Sequence, residues 1–503
     1  MKKFTSGICL LFAFILCFNA AFASADRYIV KFKDKAISKG SHQSVMQSKL
    51  NQLAKNVDSL KKAVPVSKTM DINDLWIINA VAVTADENVL ENIKAMPEVE
   101  RVVRSEYSIY IDKDIDKKPV KAELEEIQWS VQRMKAPEVW NEYKINGAGV
   151  VVGHLDTGVF GDHPALAGKI LSFKDFTPEE EPLPHDGQGH GTHTAGTIVG
   201  DQGVGVAPGA RLIVARVFDS KGGTTNEILL AAMQWVVDPD GDPETKDGPR
   251  LVSNSWGSND SSNKFFWEVV QSWVDLDILP VFAAGNNGWL GGKVGTPAAF
   301  PHSWAVAATT NTDGLAYFSS QGPVAWDGAP LMKPDIAAPG NGIVSCSHTG
   351  GMVSNSGTSM ACPGVAGVVA LMYQADPSLT VEQIRLFTEE TSKDLGTEGK
   401  DGKFGSGLID AYAAVSKVLQ NAELFSSYQA YETALQAELS LIGARPVSPL
   451  AAPLAISIIE RTAGLDEGQF RALNIKVAND GSAAAKKLLK EASSIRTARE
   501  LNK

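Results

Sequence analysis

Gly149-Val150-Val151-Val152-Gly153-His154-Leu155-Asp156-Thr157-Gly158 decides the fold. A short, largely apolar and β-branched run stops at an aspartate, and Thr157-Gly158 turns the chain, which is how a strand buried on both faces reads. Leu212 to Phe218, Leu251 to Ser255 and Leu279 to Ala283 repeat the pattern, with helical stretches at His190 to Val199 and Asn226 to Val236 between them. Buried strands alternating with helices predict an α/β fold, a mostly parallel sheet flanked by helices. In such sheets the working residues stand at the carboxyl ends of strands, where Asp156 falls.

Composition sets the bounds. With 503 residues, 44% of them hydrophobic and 21% charged, the chain can bury one large core and still form smaller units. A net charge of −11 leaves nothing to neutralise a row of phosphates, so no nucleic-acid partner is expected. Lys2 and Lys3, an uncharged run from Ile8 to Phe18 and the small residues Ala21 to Ala25 lay out a secretory signal peptide over 1–25. The run is too short to span a bilayer and no later segment reads as a transmembrane helix, so a secreted chain without a membrane anchor is expected. Beyond the leader only Cys346 and Cys362 remain, and an oxidising compartment would permit them to pair.

Residues 26–112 read as a unit of their own. Strand-like Tyr28 to Phe32, helical His42 to Ala63, strand-like Trp76 to Val83, helical Glu87 to Met96 and strand-like Val99 to Val103 suggest a small α/β sandwich of split βαβ, ferredoxin-like type. The charged, core-poor segment 113–127 reads as an exposed linker, with processing expected between Ser105 and Gln128. The largest unit, which holds the alternating strands and helices, covers 128–419. From 420 to 503, Leu424, Tyr428, Tyr431, Leu435, Leu439 and Ile442 recur at helical spacing, predicting a helical C-terminal extension without site chemistry.

Ser359 lies in Asn355-Ser356-Gly357-Thr358-Ser359-Met360-Ala361-Cys362-Pro363-Gly364, ahead of the apolar run Val365 to Met372. A serine between small residues at a helix start can cap the helix, or can present its hydroxyl and the backbone N–H groups to a substrate. His190 opens a helix in Gly189-His190-Gly191-Thr192-His193. Taken singly, Asp156 is a turn residue, His190 a structural histidine and Ser359 a cap. Together they are the three types that hydroxyl attack on an amide requires: a nucleophile, a base within reach of it, and a carboxylate to orient the base.

The order Asp, His, Ser and the three surrounding motifs resemble the subtilisin-like serine proteases, over about Gln128 to Leu419. Motif spacing and the acidic insertion after Val236 bring the resemblance nearest to the bacillopeptidase F-like branch. An α/β-hydrolase would instead place the serine first, in Gly-x-Ser-x-Gly. The resemblance implies a serine endopeptidase with Asp156 as orienter, His190 as general base and then acid, and Ser359 as nucleophile. It implies Asn286, in Ala283-Ala284-Gly285-Asn286, as an oxyanion donor beside the Ser359 N–H. Ser255-Trp256-Gly257 and Ala283-Ala284-Gly285 resemble the two walls of the family's S1 pocket and Gly295 its floor, an uncharged slot for apolar or aromatic side chains. Gly222-Gly223 resembles the edge along which substrate backbone lies. Residues 26–112 resemble the family's prodomain, which would act as an intramolecular inhibitor until cut, and protein or peptide substrates are the expected partners.

No cofactor is required by this chemistry. The short loop Gly200 to Val206 lacks the Asn-bearing segment with which many relatives hold calcium; Asp238, Asp240 and Asp242 alternate as calcium loops do, but the glycine is misplaced for an EF-hand, so the segment reads as a solvated acidic loop with calcium as the alternative. His190 and His193 suggest metal ligands, but no third ligand at a suitable spacing accompanies them. A secreted binding protein that keeps the fold without turnover is the rival from another class, and the full set Asp156, His190, Ser359 and Asn286 counts against it.

Overall fold

The computed structural model describes residues 26–34, 41–64, 71–111, 115–120 and 126–422. The leader expected over 1–25 and all but the first three residues of the extension expected over 420–503 lie outside them. The chain divides into two compact units, the first made of residues up to Ile109 together with Gly223–Asp247, the second of Tyr110–Gly222 and the chain from Gly248 on.

The first unit carries a four-stranded antiparallel sheet in which Ile72–Leu75, Ala80–Ala85, Asp26–Phe32 and Val99–Arg104 lie side by side. With helices His42–Ala63 and Glu87–Lys94 this is the split βαβ arrangement expected. The single strand expected from Trp76 to Val83 is instead a turn followed by a strand that begins only at Ala80, and the turn joins it to the preceding strand Ile72–Leu75. Trp76, Ile77 and Ile78 form one 3₁₀ turn that is fully or nearly buried, and Asn79 reverses the chain at φ 52°. An apolar run of this length reads alike whether it is a strand or a buried turn.

Residues 223–247, which the sequence reading placed in the catalytic body, pack with this unit. Helix Asn226–Trp235 offers Glu227 to Arg27 at 2.6 and 2.8 Å and to Asn73 at 3.0 Å, while Gln234 bonds the backbone of Asp74 and Ile77. Ahead of it, Gly223–Thr225 pairs antiparallel with Tyr107–Ile109.

The second unit is built on seven parallel strands in the order Ile336–Pro339, Trp304–Thr309, Leu279–Ala283, Leu251–Asn254, Val151–Asp156, Arg211–Arg216, Ile170–Asp175. From the Asp156 strand the chain goes first to the edge strand Ile170–Asp175, returns to Arg211–Arg216 beside the Asp156 strand, and then crosses to Leu251–Asn254 on its other side. The carboxyl end of the Asp156 strand is thus a topological switch point, where such sheets bind ligands.

Helix Thr358–Ala375 is buried along every face from Thr358 to Tyr373 and packs on five strands of the sheet. A helix apolar all round can be stable only inside a core. Truncating one of its fully buried side chains, such as Leu371, would cost about 2–5 kcal/mol. A hairpin, Ile343–Cys346 and Met352–Ser356, delivers the chain to this helix, and Ile115–Val120 adds a third strand to it. Part of the segment read as a linker is therefore paired, although four of its six residues are exposed. Among the described residues no helix is long and apolar enough to cross a membrane.

Cys346 and Cys362 are both buried and unpaired. Burial pushes each thiol up to about 12. A thiol reagent should leave both untouched in the native protein at pH 8 and titrate them after denaturation without reductant. Native labelling, or thiols that appear only after reduction, would contradict the structure.

Candidate active site

Asp156 ends its strand 1% exposed. A carboxylate so placed needs donors, and the local sequence supplies them. His190 Nδ1 lies 2.7 Å from Asp156 Oδ1, which also accepts from the Thr157 N–H at 2.7 Å. Burial alone would raise Asp156, but His190, then His154 and the Thr157 amide outweigh it and hold the carboxyl below its ordinary range.

His190 is the first residue of helix His190–Val199, and Asp186 fixes where that helix begins. One Asp186 oxygen accepts from Gly189 N and Thr157 Oγ1, at 2.7 and 2.9 Å, and the other from Thr192 N and Oγ1, at 2.8 and 2.6 Å. Thr157 Oγ1 in turn accepts from Gly191 N at 2.8 Å. Asp186 thus ties the helix carrying His190 to the turn after Asp156. The sequence reading missed it, although an aspartate at a helix start is a capping signal.

His193 does not join a metal site. Its Nε2 bonds the Ile343 carbonyl at 3.0 Å and its own carbonyl accepts from Ser345 Oγ at 2.8 Å, fastening the His190 helix to the hairpin that leads to Ser359.

Ser359 is the second residue of its helix and follows the cap residue Gly357, so the capping role is not the one it has. Pro363 lies four residues on and has no N–H to give the Ser359 carbonyl. That carbonyl accepts instead from Ser255 Oγ at 2.8 Å, and Ser359 Oγ donates to the Ser255 carbonyl at 3.2 Å. The strand Leu251–Asn254 and the helix are locked together at the hydroxyl. Asn286 is fixed from the same helix end: its Oδ1 accepts from Thr358 N and Oγ1, both at 2.9 Å, and Thr358 Oγ1 accepts from Gly285 N at 3.0 Å. With Oδ1 so used, the amide turns Nδ2 elsewhere. A methyl group on Gly357 would lie 3.5 Å from Asn286 Nδ2 and 3.6 Å from Ser359 N, so two N–H donors border one space that glycine leaves open.

Beside Ser359 opens a cleft lined by Tyr110, Ser255, Trp256, Gly257, Ser258, Asn259, Ala283, Ala284, Gly285, Gly295 and Thr358, with no charged side chain. Trp256 is 2% exposed and lies edge-on to Phe218, Phe266 and Phe282, so its ring stiffens the wall from behind. A side chain at Gly295 would strike the Ser258 carbonyl at 1.6 Å, which is why only glycine fits there. Gly257 N donates to the Tyr110 carbonyl at 3.2 Å. Gly222 turns at φ +82°, and Gly223 is paired with Ile109.

The acidic loop brings Asp238 and Asp240 together with Asp247, and not with Asp242, their oxygens within 4.8 Å. Asp242 instead accepts from Glu244 N. Burial, with Asp247 and Asp240 adding repulsion, pushes Asp238 up to about 6.

Residues 147–407 match the model of the subtilase family, and residues 27–108 match that of the peptidase inhibitor I9 family. Bacillopeptidase F of Bacillus subtilis (strain 168) is 35% identical over 384 residues, 69% of this chain and 26% of that protein, so the chain spans about a quarter of that relative. Alkaline elastase YaB of Bacillus sp. (strain YaB) is 30% identical over 423 residues, 82% of this chain and 98% of that protein. Subtilisin Savinase of Lederbergia lenta is 35% identical over 292 residues, 57% of this chain and 98% of that protein.

The raised Asp238 carboxyl has a consequence for stability. The folded state holds this proton more tightly than the unfolded chain, so stability is present at low pH and is lost as pH rises from about 4 through 6. With Ser359→Ala to prevent self-digestion and a chelator present, Asp238→Asn should raise the Tm at pH 7.5 and leave it unchanged near pH 4. An equal effect at both pH values would refute the carboxylate repulsion.

Proposed function

The chain belongs to the subtilase family of serine endopeptidases, and from that premise we propose that it is an exported, self-processing endopeptidase whose nucleophile is Ser359. The observation that carries the reading is the buried His190 Nδ1 to Asp156 Oδ1 contact at 2.7 Å. It commits Nδ1 to Asp156 and so reserves Nε2 as the base. Ser359 Oγ gives its proton to His190 Nε2 as it attacks the peptide carbonyl carbon. The carbonyl oxygen becomes an oxyanion, met by Asn286 Nδ2 and Ser359 N–H. The imidazolium, stabilised by Asp156, then protonates the leaving amine, and water returns the acyl-enzyme to its starting state by the same route. No step needs a metal or a cofactor, and a cation at Asp238, Asp240 and Asp247 would neutralise crowded carboxylates and take no part in the chemistry.

The segment at the end of the inhibitor-matched domain supports autoinhibition. Tyr107–Ile109 adds a strand to Gly223–Thr225, the edge assigned to substrate backbone, and the next residue, Tyr110, lies in the cleft beside Ser359. Main-chain pairing of this kind suits any extended peptide, so the prodomain would hold the site as a substrate does until the chain is cut between Ser105 and Gln128. The Lys-led apolar stretch at the N-terminus supports export.

Expressed as the full chain, the protein should shorten itself and then degrade casein, and Ser359→Ala should do neither. If Ser359→Ala retains both activities, the assignment fails. Asn286→Ala should lose about 10²–10³ in kcat with little change in KM, a magnitude that belongs to the corresponding donor of subtilisin and is carried over from it.

The uncharged cleft predicts selectivity at the residue before the cleaved bond. Peptides with Phe or Leu there should exceed those with Lys or Glu in kcat/KM by about tenfold or more, and a preference for Lys or Glu would overturn the pocket assignment.

A further inference from the structure

His154 is a second buried imidazole at Asp156. It stands two residues earlier on the same strand and hence on the same face. It is 1% exposed, and its Nε2 lies 4.0 Å from Asp156 Oδ2, the oxygen His190 does not use. Between them sits Thr194, four residues after His190, its hydroxyl 2.8 Å from His154 Nε2 and 3.1 Å from Asp156 Oδ2.

The hydrogen-bond roles are forced. Thr194 Oγ1 has three other neighbours, Asp156 Oδ2 and the carbonyls of His190 and Gly191 at 3.2 and 3.1 Å, and all three only accept. If His154 Nε2 also accepted, the hydroxyl oxygen would face acceptors on every side. His154 therefore carries its proton on Nε2 and donates to Thr194, whose single proton faces three acceptors at 3.1 to 3.2 Å, of which the charged Asp156 Oδ2 is the strongest. Its Nδ1 is buried without a partner among the described residues, which an unprotonated nitrogen tolerates better than a bare N–H.

We propose that His154, through Thr194, is a positioning residue that draws on the second oxygen of Asp156, weakens the hold of Asp156 on the His190 imidazolium, and so sets the lower pH limit of activity. A donor to one carboxylate oxygen spreads the negative charge, leaving less of it to stabilise a proton on the partner of the other oxygen.

The charged and titratable groups around His154 fit that role. Asp156 shares its strand, and His190 and Asp186 come from the helix start; Arg216 stands opposite Asp156 on the neighbouring strand, and Cys362 of the Ser359 helix feels the Asp156 charge. Arg216 is taken up by Asp175 and Glu179, and the Cys362 thiol is neutral. Burial lowers His154 most, with Asp156 opposing it and His190 adding to the fall, so the buried ring stays neutral.

The inference rests on the roles assigned to Asp156, His190 and Ser359, and its test separates the two. The pH dependence of kcat/KM is measured with a chromogenic peptide on the processed native enzyme, His154→Leu, Thr194→Val, the double variant and His154→Gln. In the Leu and Val variants the acid limb should move up by about half a pH unit, an about threefold loss at pH 6 that fades by pH 8.5. The double variant should move no further, because both act along one path. His154→Gln, which keeps an N–H donor at the same reach, should restore the native limb. A limb that stays or moves down, or a loss equal at every pH, overturns the proposal. If His154→Leu does not fold, the near-isosteric Thr194→Val decides alone. Activity that survives Ser359→Ala would sink the parent assignment, whereas an unmoved limb in active variants sinks only this one.

Discussion

A carboxylate that must stay charged inside a dry core is the constraint on which the site depends. Desolvation opposes the charge of Asp156, and burial without donors would leave it protonated and unable to hold an imidazolium. Every neighbouring element answers that demand. The strand end provides the Thr157 N–H, the His190 helix provides His190 and Thr194, and Asp186 sets the point at which that helix starts. A parallel sheet is suited to this because strand carboxyl ends and helix N-termini meet on one side of it. The geometry of a base follows from the cost of a charge.

A second constraint acts at Ser359. A fully buried helix needs its first-turn backbone groups satisfied, and Pro363 withdraws one of the N–H groups that would do so. The Ser255 hydroxyl replaces it, and the reciprocal bond from Ser359 Oγ ties the nucleophile to the strand that walls the cleft. Thr358 uses its hydroxyl and N–H to aim Asn286. The position of the nucleophile and the orientation of the oxyanion amide are thus set by the same turn, so small shifts of that helix end would move both together.

Much of this was legible in the sequence because it follows from period and residue type. The runs ending at Asp156 and Ala283 and the helix from His190 stand where apolar patterning put them, within a residue or two. Trp76 to Asn79 was misread because one apolar run hid a tight turn whose signal, Asn79 in a left-handed conformation, is a weak one. The strands Ile170–Asp175 and Ile336–Pro339 went unread: the first is a half-exposed edge, and the second is four residues of Ile-Ala-Ala-Pro with little β character. Asp186, Thr194 and Ser255 were passed over because each is an ordinary capping or small polar residue until three dimensions set it beside a group in need of a donor or acceptor. His154 had a usable signal, an ionisable ring two places before an aspartate on a strand buried on both faces.

The proposed recognition and the proposed inhibition then have one physical origin. A cleft with no charged side chain takes much of its affinity from main-chain pairing, which any extended chain can supply. An enzyme built this way cannot distinguish its own linker from a substrate by side-chain chemistry. What separates inhibitor from substrate is then persistence: a strand anchored to a folded domain rebinds at high effective concentration after each opening, whereas a cut peptide diffuses away. The Arg27 to Glu227 ion pair and the Gln234 contacts hold the segment behind Gly223–Thr225 to the folded N-terminal sheet, so the edge that receives Tyr107–Ile109 and the domain that presents it are ordered together. Cutting the chain between Ser105 and Gln128 would then end that tether, and unfolding or digestion of the domain that presents the strand would complete its release.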